Sequence, residues 1–164
     1  MPDYWLDSNT FIEAKKGPYA FDLAPGFWNL IENQFDARVI ACPLRVFDEI
    51  SDGDDDDDPL IWARAVHGTK LAFLTPCEAA QEKFTEIADW VQGRYPSNQA
   101  AHFLSKADPW VIAQAAVHRG TVVTMETLVN DASQKPKVPN VCNHFGVPHM
   151  HPYALLRVLN MRLT

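Results

Sequence analysis

The strongest constraint on the fold is the alternation of short apolar segments with longer helical patterns along the chain. Runs rich in apolar or β-branched residues occupy positions 4–7, 38–42 and 121–124, and helical spacing of apolar side chains separates each run from the next. Short strands that alternate with helices are typical of a parallel sheet with helices packed on its two faces. The sequence therefore predicts a three-layer α/β/α fold with a central parallel sheet.

Helices are predicted from the spacing of apolar residues and from residues that favour helix ends. One helix follows Asn9 and ends near Gly17, and the others cover residues 26–34, 44–50, 76–93 and 109–120. The acidic run at 52–59 is predicted to be a solvated surface loop, because blocks of like charge repel each other. Residues 138–147 are interpreted as a final strand and turn.

The size and composition of the chain exclude several classes of protein. A chain of 164 residues can bury a full core, so residues 1–164 are expected to form one domain. The apolar runs are shorter than the ~20 residues of a membrane span, and the N-terminal order of residues is not that of a signal peptide. We therefore expect a cytoplasmic protein without membrane contact. Three cysteines without a C-x-x-C pair argue against a disulfide framework and a zinc ribbon.

The distribution of charge leaves room for a polyanionic partner. The net charge of −7 at first argues against one. Six of the acidic residues, however, lie in one run formed by Asp52 and residues 54–58, and the rest of the chain carries a net charge of only −1. Association is steered by where the charges lie more than by their sum. A local basic patch could therefore still bind nucleic acid.

Four acidic residues stand at junctions between strands and helices, where α/β proteins often carry functional side chains. Asp7 ends the first strand, Glu49 lies in the helix after the second, Asp108 precedes Pro109 at a helix start, and Glu126 follows the strand at 121–124. Each one taken singly is explained as a helix cap or a solvated charge, and Asp108 has the position of an N-cap residue. The four together indicate a site for Mg²⁺ or Mn²⁺, because hard divalent ions favour carboxylate ligands.

Four motifs in the same order resemble the PIN-domain ribonucleases, the family of the VapC-type toxins. They are LDSNTFI at 6–12, VFDEI at 46–50, KADPWVIAQA at 106–115 and VVTME at 122–126. The resemblance spans most of the chain, and the order of the motifs is more specific than any one of them. The segment KPKVPNVC at 135–142, together with Phe27 and Trp28, resembles an uncharacterised PIN-like bacterial family more than a typical toxin.

The resemblance implies a PIN-like fold and a metal-dependent ribonuclease that hydrolyses RNA phosphodiester bonds, acting as the toxin of a toxin–antitoxin pair. The implied catalytic and metal-binding residues are Asp7, Glu49, Asp108 and Glu126. They would hold one or two Mg²⁺ or Mn²⁺ ions. Asn9 and Thr124 match family positions that orient these ligands. The implied partners are the RNA substrate, an antitoxin protein and a second copy of the chain in a homodimer.

Two of these assignments have an alternative within the sequence. Asp is commoner than Glu at the last acidic position, so Asp131 is the alternative to Glu126 as the fourth ligand. Asp48 competes with Glu49, and the family spacing favours Glu49. Basic residues near the expected site could contact the RNA backbone. They are Lys15, Lys16, Arg45, Lys135 and Lys137.

Other functions fit parts of the sequence. A catalytically silent PIN-like module that binds RNA or protein would account for the acidic loop and for Glu at the fourth position. A haloacid-dehalogenase-type phosphatase also begins with a strand-terminal Asp, but it needs D-x-D, and the second position here is Asn9. The Cys and His residues near the end of the chain match no standard zinc-finger spacing. They are Cys142, His144, His149 and His151.

Overall fold

A computed structural model describes residues 1–17, 19–52, 58–69 and 72–162 of the chain. The strands in these residues form one all-parallel sheet in the order β3-β2-β1-β4-β5. They are β1 (Tyr4–Leu6), β2 (Ile40–Pro43), β3 (Phe73–Leu74), β4 (Thr121–Val123) and β5 (His149–Met150). Helices follow the strands and cover the sheet, which confirms the predicted α/β fold with a central parallel sheet.

The sheet has its topological switch point between β1 and β4. Strand β1 lies in the middle, with Tyr4 opposite Ile40 of β2 on one side and opposite Thr121 of β4 on the other. The chain first builds outward through β2 to β3 and then returns to the other side of β1 with β4 and β5. In open α/β sheets, ligands bind beyond the carboxyl ends of the strands at this point.

The described residues contain nine helices. They are α1 (Ser8–Lys16), α2 (Pro25–Asp36), α3 (Leu44–Ser51), α4 (Asp58–Thr69), α5 (Glu78–Arg94), α6 (Ser97–Leu104), α7 (Asp108–Val117), α8 (Val138–His144) and α9 (Pro152–Val158). The predictions of α1, α2, α3, α5 and α7 are confirmed, with ends that differ by a few residues. Helices α4, α6 and α9 were not predicted.

The interpretation of residues 138–147 as a strand is wrong. The segment begins with helix α8 and turns at Gly146, whose φ of +66° lies in the left-handed region that favours glycine. Buried Val138, Val141 and Cys142 are spaced three and four residues apart, so they share one face of a helix. Pro139 in the first turn is also typical of a helix start. The final strand, β5, begins only after the turn.

The predicted acidic loop lies largely outside the described residues, which omit 53–57. Asp52 is the C-cap of α3, and Asp58 is the first residue of α4. The end of the predicted loop at 58–59 is therefore helical instead. Pro59 in the first turn accounts for this, because proline fixes a backbone angle that suits a helix start.

Helix α7 forms the centre of the fold. Val111, Ile112 and Ala113 are completely buried, and the helix packs against α5 and α8 as well as strands β1, β2 and β4. Its first residue, Asp108, is thereby held beside the carboxyl ends of the central strands. Within the described ranges, no helix combines the length and the apolarity needed to cross a membrane.

Candidate functional site

Asp7 joins the two central strands at their carboxyl ends. It follows β1 and is the N-cap of α1, where its Oδ1 accepts hydrogen bonds from the Thr10 N–H at 3.1 Å and the Thr10 hydroxyl at 3.0 Å. Its Oδ2 accepts from the Thr124 hydroxyl, just after β4, at 2.6 Å. Complete burial raises the pKa of Asp7 to about 6, although the hydrogen bonds from Thr124 and Thr10 oppose the shift. The carboxylate of Asp7 is thus fixed in orientation and shielded from water.

Glu49 links three helices beside Asp7. It lies on α3, the helix that follows β2, and its Oε2 accepts a hydrogen bond from the Ser8 hydroxyl at the start of α1. Its Oε1 accepts from the Ala107 N–H at 2.5 Å, directly before α7. Asp48 is exposed and instead lies 3.8 Å from Arg45. Of the two neighbouring acids, the structure therefore turns Glu49 toward the other carboxylates.

The pKa of Asp108 is raised further than that of Asp7. The structure places Ala107 at the N-cap of α7 and Asp108 at the first helical position, so the predicted N-cap role of Asp108 is wrong. The backbone of the preceding residue is already helical, which shifts the helix start by one position. Burial, followed by the charges of Asp7, Glu126 and Glu49, raises the pKa of Asp108 to about 8, and Lys106 partly opposes this. The charges of the other three carboxylates therefore act on Asp108.

Glu126 comes two residues after Thr124 and fixes the segment that follows β4. Its N–H donates to the Thr124 hydroxyl at 3.1 Å, and its Oε2 accepts from the Val138 N–H at 2.7 Å. Asp131, the alternative fourth ligand, is exposed and lines a different cavity with Arg94. Its backbone carbonyl accepts a hydrogen bond from Arg94. The structure therefore groups Glu126, and not Asp131, with the other three acids.

The expected orienting residues differ in what they contact. Thr124 donates to Asp7 as the resemblance implies, whereas half-buried Asn9 has no hydrogen bond to any of the four carboxylates in the described structure. Two hydroxyl residues were missed by the sequence reasoning, namely Ser8 and Thr10, which bind Glu49 and Asp7. Thr10 had a readable signal, because a capping Asp accepts a hydrogen bond from the residue three positions later. The contact between Ser8 and Glu49 had none, since it joins distant segments.

The four carboxylates have the chemistry of a metal site but not its closed arrangement. In the described residues, no three His, Cys, Asp or Glu side chains are gathered closely enough to hold a metal ion. Glu49 and Glu126 each bind backbone N–H groups instead. Binding of Mg²⁺ would therefore require side-chain movement, which the long Glu49 and Glu126 side chains allow more readily than buried Asp7. Four neighbouring carboxylates of like charge nevertheless offer the hard oxygen ligands that such an ion favours.

A cavity of about 480 Å³ opens beside this group. Asp108 and Glu126 form part of its wall, and Lys106, Lys135 and Lys137 form another part. The remaining basic residues suggested by the sequence lie elsewhere. Lys15 and Lys16 are in the last turn of α1, where Lys16 lies 3.9 Å from Glu13, and Arg45 donates to the Ser105 carbonyl at 3.0 Å.

A family model, described as a domain of unknown function (DUF4411), matches residues 4–163. The chain belongs to this family. No curated protein matches it. The match includes the whole sheet, all four carboxylates and the cavity, so the DUF4411 domain is the unit to which the site belongs. The family description names no activity.

The Cys and His residues near the end of the DUF4411 domain take separate roles. Cys142 is buried in α8, and its pKa is raised first by burial and then by Asp7 and Glu126. His144 stacks on Trp90 with ring centroids 4.0 Å apart, and His151 caps α9 by accepting from the Tyr153 N–H. These side chains do not converge on one point within the described structure.

Proposed function

We propose that this protein is a metal-dependent ribonuclease that hydrolyses RNA phosphodiester bonds. One observation supports it above the others: the charges of Asp7, Glu49 and Glu126, which come from three different segments, act on buried Asp108 at the carboxyl ends of β1 and β4. Burial and then the three neighbouring charges raise the pKa of Asp108, and in the described residues none of the four acids forms an ion pair with Lys or Arg. Buried like charges without a partner are typical of sites that bind cations.

The donor set favours Mg²⁺ or Mn²⁺ over softer metals. Carboxylate oxygens of Asp7, Glu49, Asp108 and Glu126 would hold the ion or ions, and no thiol or imidazole is needed. When bound, such an ion supplies an activated water and stabilises the negative charge that develops on a phosphodiester. The buried thiol of Cys142 has a raised pKa and thus stays protonated near neutral pH. It is therefore a poor competitor for a metal ion.

The residues around the acids would fix the orientation of the carboxylates. The Thr10 hydroxyl donates to Oδ1 of Asp7 and the Thr124 hydroxyl donates to Oδ2, so the two hydrogen bonds fix the orientation of this carboxylate. The Ser8 hydroxyl and the Ala107 N–H donate to the two oxygens of Glu49 in the same way. Asp108 and Glu126 line the cavity, so a phosphodiester would approach the site from that side. The high pKa of Asp108 means that it would release its proton when a cation binds.

A role as the toxin of a toxin–antitoxin pair is part of this proposal and is supported by the resemblance to the PIN-domain ribonucleases. In that role the partners are an antitoxin protein and a second copy of the chain. Expression in a bacterial host tests it: the wild-type chain should arrest growth, and a site variant should not. If the chain cleaves RNA but does not slow growth, the toxin role is refuted and the ribonuclease function is retained.

The central experiment compares matched acidic residues in a cleavage assay with single-stranded RNA and Mg²⁺. Asp7→Asn and Glu49→Gln should each lower the rate by at least about a hundredfold, which corresponds to about 2.7 kcal/mol of transition-state stabilisation. Asp48→Asn removes an adjacent carboxylate that faces solvent and should leave the rate within about twofold, as expected for a surface residue. Equal rates for all three variants would refute the proposed site.

The fourth ligand is tested in the same way. Glu126→Gln should reduce cleavage, and Asp131→Asn should not, because only Glu126 is placed with the other acids. If only Asp131→Asn loses activity, Asp131 and not Glu126 is the fourth ligand. Thermal unfolding of each variant separates loss of the site from loss of the fold.

A second candidate is a catalytically silent module that binds RNA or protein. The observation that favours it is that no three potential ligands are closely gathered in the described residues. Titration with Mn²⁺ followed by calorimetry distinguishes the two functions. Binding that disappears in Asp7→Asn supports the ribonuclease, whereas the absence of any heat in the wild-type chain supports the silent module.

A further inference from the structure

The cavity beside the carboxylates has walls of opposite charge. Helix α6 and the residues after it contribute His102 and Lys106, and the segment before α8 contributes Lys135 and Lys137. The acids Asp108 and Glu126 line the same cavity, and the neutral polar residues Asn98 and Gln99 lie at its side. Basic and acidic groups thus share one space of about 480 Å³.

The lysines form no ion pair with the acids, although the charge of Lys106 partly opposes the raised pKa of Asp108. In the part of the chain that the structure describes, Lys106, Lys135 and Lys137 form no ion pair with any carboxylate. Lys83, on α5, instead lies 2.6 Å from Glu86, as is common for lysines on a helix surface. Three unpaired ammonium groups around one cavity are suited to an anionic ligand that enters it.

The positions of two of these lysines are set by the site itself. Glu126 accepts a hydrogen bond from the Val138 N–H and so fixes the end of the segment that carries Lys135 and Lys137. Asn140 fixes the middle of the same segment, since its side chain donates to the Val129 carbonyl at 2.8 Å and accepts from the Val129 N–H at 3.1 Å. The lysines therefore lie at a defined place beside the fourth carboxylate.

We propose that this cavity binds one nucleotide of single-stranded RNA next to the cleaved bond, with Lys106, Lys135 and Lys137 contacting its phosphates. The inference rests on the proposed ribonuclease function. The volume of the cavity lies in the range of about 300–1,000 Å³ that is usual for small-ligand sites, which is sufficient for a nucleotide. Asn98 and Gln99 offer both donors and acceptors to the edge of a base. The acids at the opposite wall place the adjacent phosphodiester at the metal-binding group.

The test measures binding of a short fluorescein-labelled single-stranded RNA by anisotropy in EDTA, where metal-dependent cleavage cannot occur. The variant Lys106→Gln/Lys135→Gln/Lys137→Gln should weaken binding by at least about tenfold. The slope of log affinity against log salt concentration should become shallower by about 2, because each lost phosphate contact on a single strand accounts for about 0.7. These surface substitutions should leave the unfolding temperature nearly unchanged.

Lys83→Gln is the matched control. It removes the same charge from a cavity that Gly120 and Pro148 line, at the amino ends of β4 and β5. It should change the affinity by less than about twofold. Equal weakening by the control and a single cavity variant, Lys135→Gln, or no weakening by the triple variant, would overturn the inference.

Two further outcomes separate this inference from the proposed function. If RNA binding depends on the three lysines but no cleavage occurs with Mg²⁺, the cavity site stands and the ribonuclease falls. If RNA is cleaved but binding is independent of the lysines, the ribonuclease function stands and the cavity site is refuted. If an acidic peptide displaces RNA at equal concentration, the assignment of the cavity to RNA is refuted. The assignment is also refuted if the wild-type chain does not bind RNA in EDTA and Asp7→Asn does not bind it with Mg²⁺.

Discussion

The two ends of the central strands contrast sharply in their surroundings. Near the amino end of β4, a Cβ atom on Gly120 would lie 2.7 Å from Trp5 Cδ1, and Trp5 stacks on His118 with ring centroids 5.4 Å apart. At the carboxyl ends, the same two strands lead into buried Asp7 and Thr124, where burial and then neighbouring carboxylates raise the pKa of Asp7 and of Asp108. Trp5 and Gly120 are thus closely packed at one end, whereas four carboxylates come together at the other.

The difference shows which end is arranged for stability. Close packing of apolar rings stabilises the folded state through burial and dispersion contacts. Burial of like charges has the opposite effect, because each charge loses its hydration and repels its neighbours. We therefore infer that the neighbouring carboxylates, which lower stability, serve a purpose other than folding. Substitutions at the two ends should therefore change stability in opposite directions.

The largest effect is expected at the carboxyl end. Asp108→Asn replaces a buried acid with a neutral side chain of the same shape and removes its repulsion with Asp7, Glu126 and Glu49. Without metal, and above the pKa of about 8, we expect the free energy of unfolding to rise by roughly 2–4 kcal/mol. Urea denaturation measures this change.

The same variant should lose RNA cleavage, so stability and activity would move in opposite directions. The control is Asp48→Asn, which removes an exposed acid and should alter stability by less than about 0.5 kcal/mol. A decrease in stability of Asp108→Asn would show that the carboxylate contributes to the fold, and it would remove the contrast between the two ends.

At the amino end we expect a loss of roughly 1–3 kcal/mol from Gly120→Ala, the usual range for overpacking a core. The new methyl group would meet Trp5, which is fully buried and cannot move aside, as well as the Asp3 carbonyl at 3.0 Å. Gly93→Ala is the matched control, because a Cβ there meets nothing within 4 Å and the residue lies in α5. It should stabilise the protein by up to about 1 kcal/mol through helix propensity. Equal responses of the two variants would contradict the packing argument.

The contrast also explains which parts of the structure were predictable. Asp7 and Asp108 were found because a strand end and a helix start leave local signals in the sequence. Strands β3 and β5 have two residues each, too few for any periodic pattern. Helix α8 was misread because a short apolar run does not distinguish a buried strand from a buried helix.

The arrangement of the site depends on contacts that sequence spacing cannot reveal. Glu49 receives hydrogen bonds from Ser8 and from the Ala107 N–H, which lie 41 and 58 residues away along the chain. The N–H of Val138 binds Glu126 across a segment without regular structure. Helix α6, which forms one side of the cavity, was not predicted, and with it His102 was missed as a cavity residue. Tertiary packing, and not local propensity, brings these groups together.

Measured over one pH unit, the smallest effect is the dependence of stability on pH, read as the difference between the wild-type chain and Asp108→Asn. Between the ordinary pKa of 3.8 and about 8, folded Asp108 holds a proton that the unfolded chain has lost. The free energy of unfolding therefore falls as pH rises through this window, by at most about 1.4 kcal/mol per unit for one proton. Above a pH of about 8 the fall is complete.

The difference between the two proteins isolates Asp108 from other titrating groups. Burial lowers the pKa of His118, so that residue favours the folded state as pH rises and would hide part of the slope in either protein alone. Asp7 contributes a fall of the same sign as Asp108 up to about pH 6. Mg²⁺ should flatten the slope of the wild-type chain, because a bound cation keeps the carboxylates ionised in the folded state. A slope that persists unchanged in Asp108→Asn, or one that Mg²⁺ does not alter, would mean that the acids at the carboxyl end do not act as one cation-binding group.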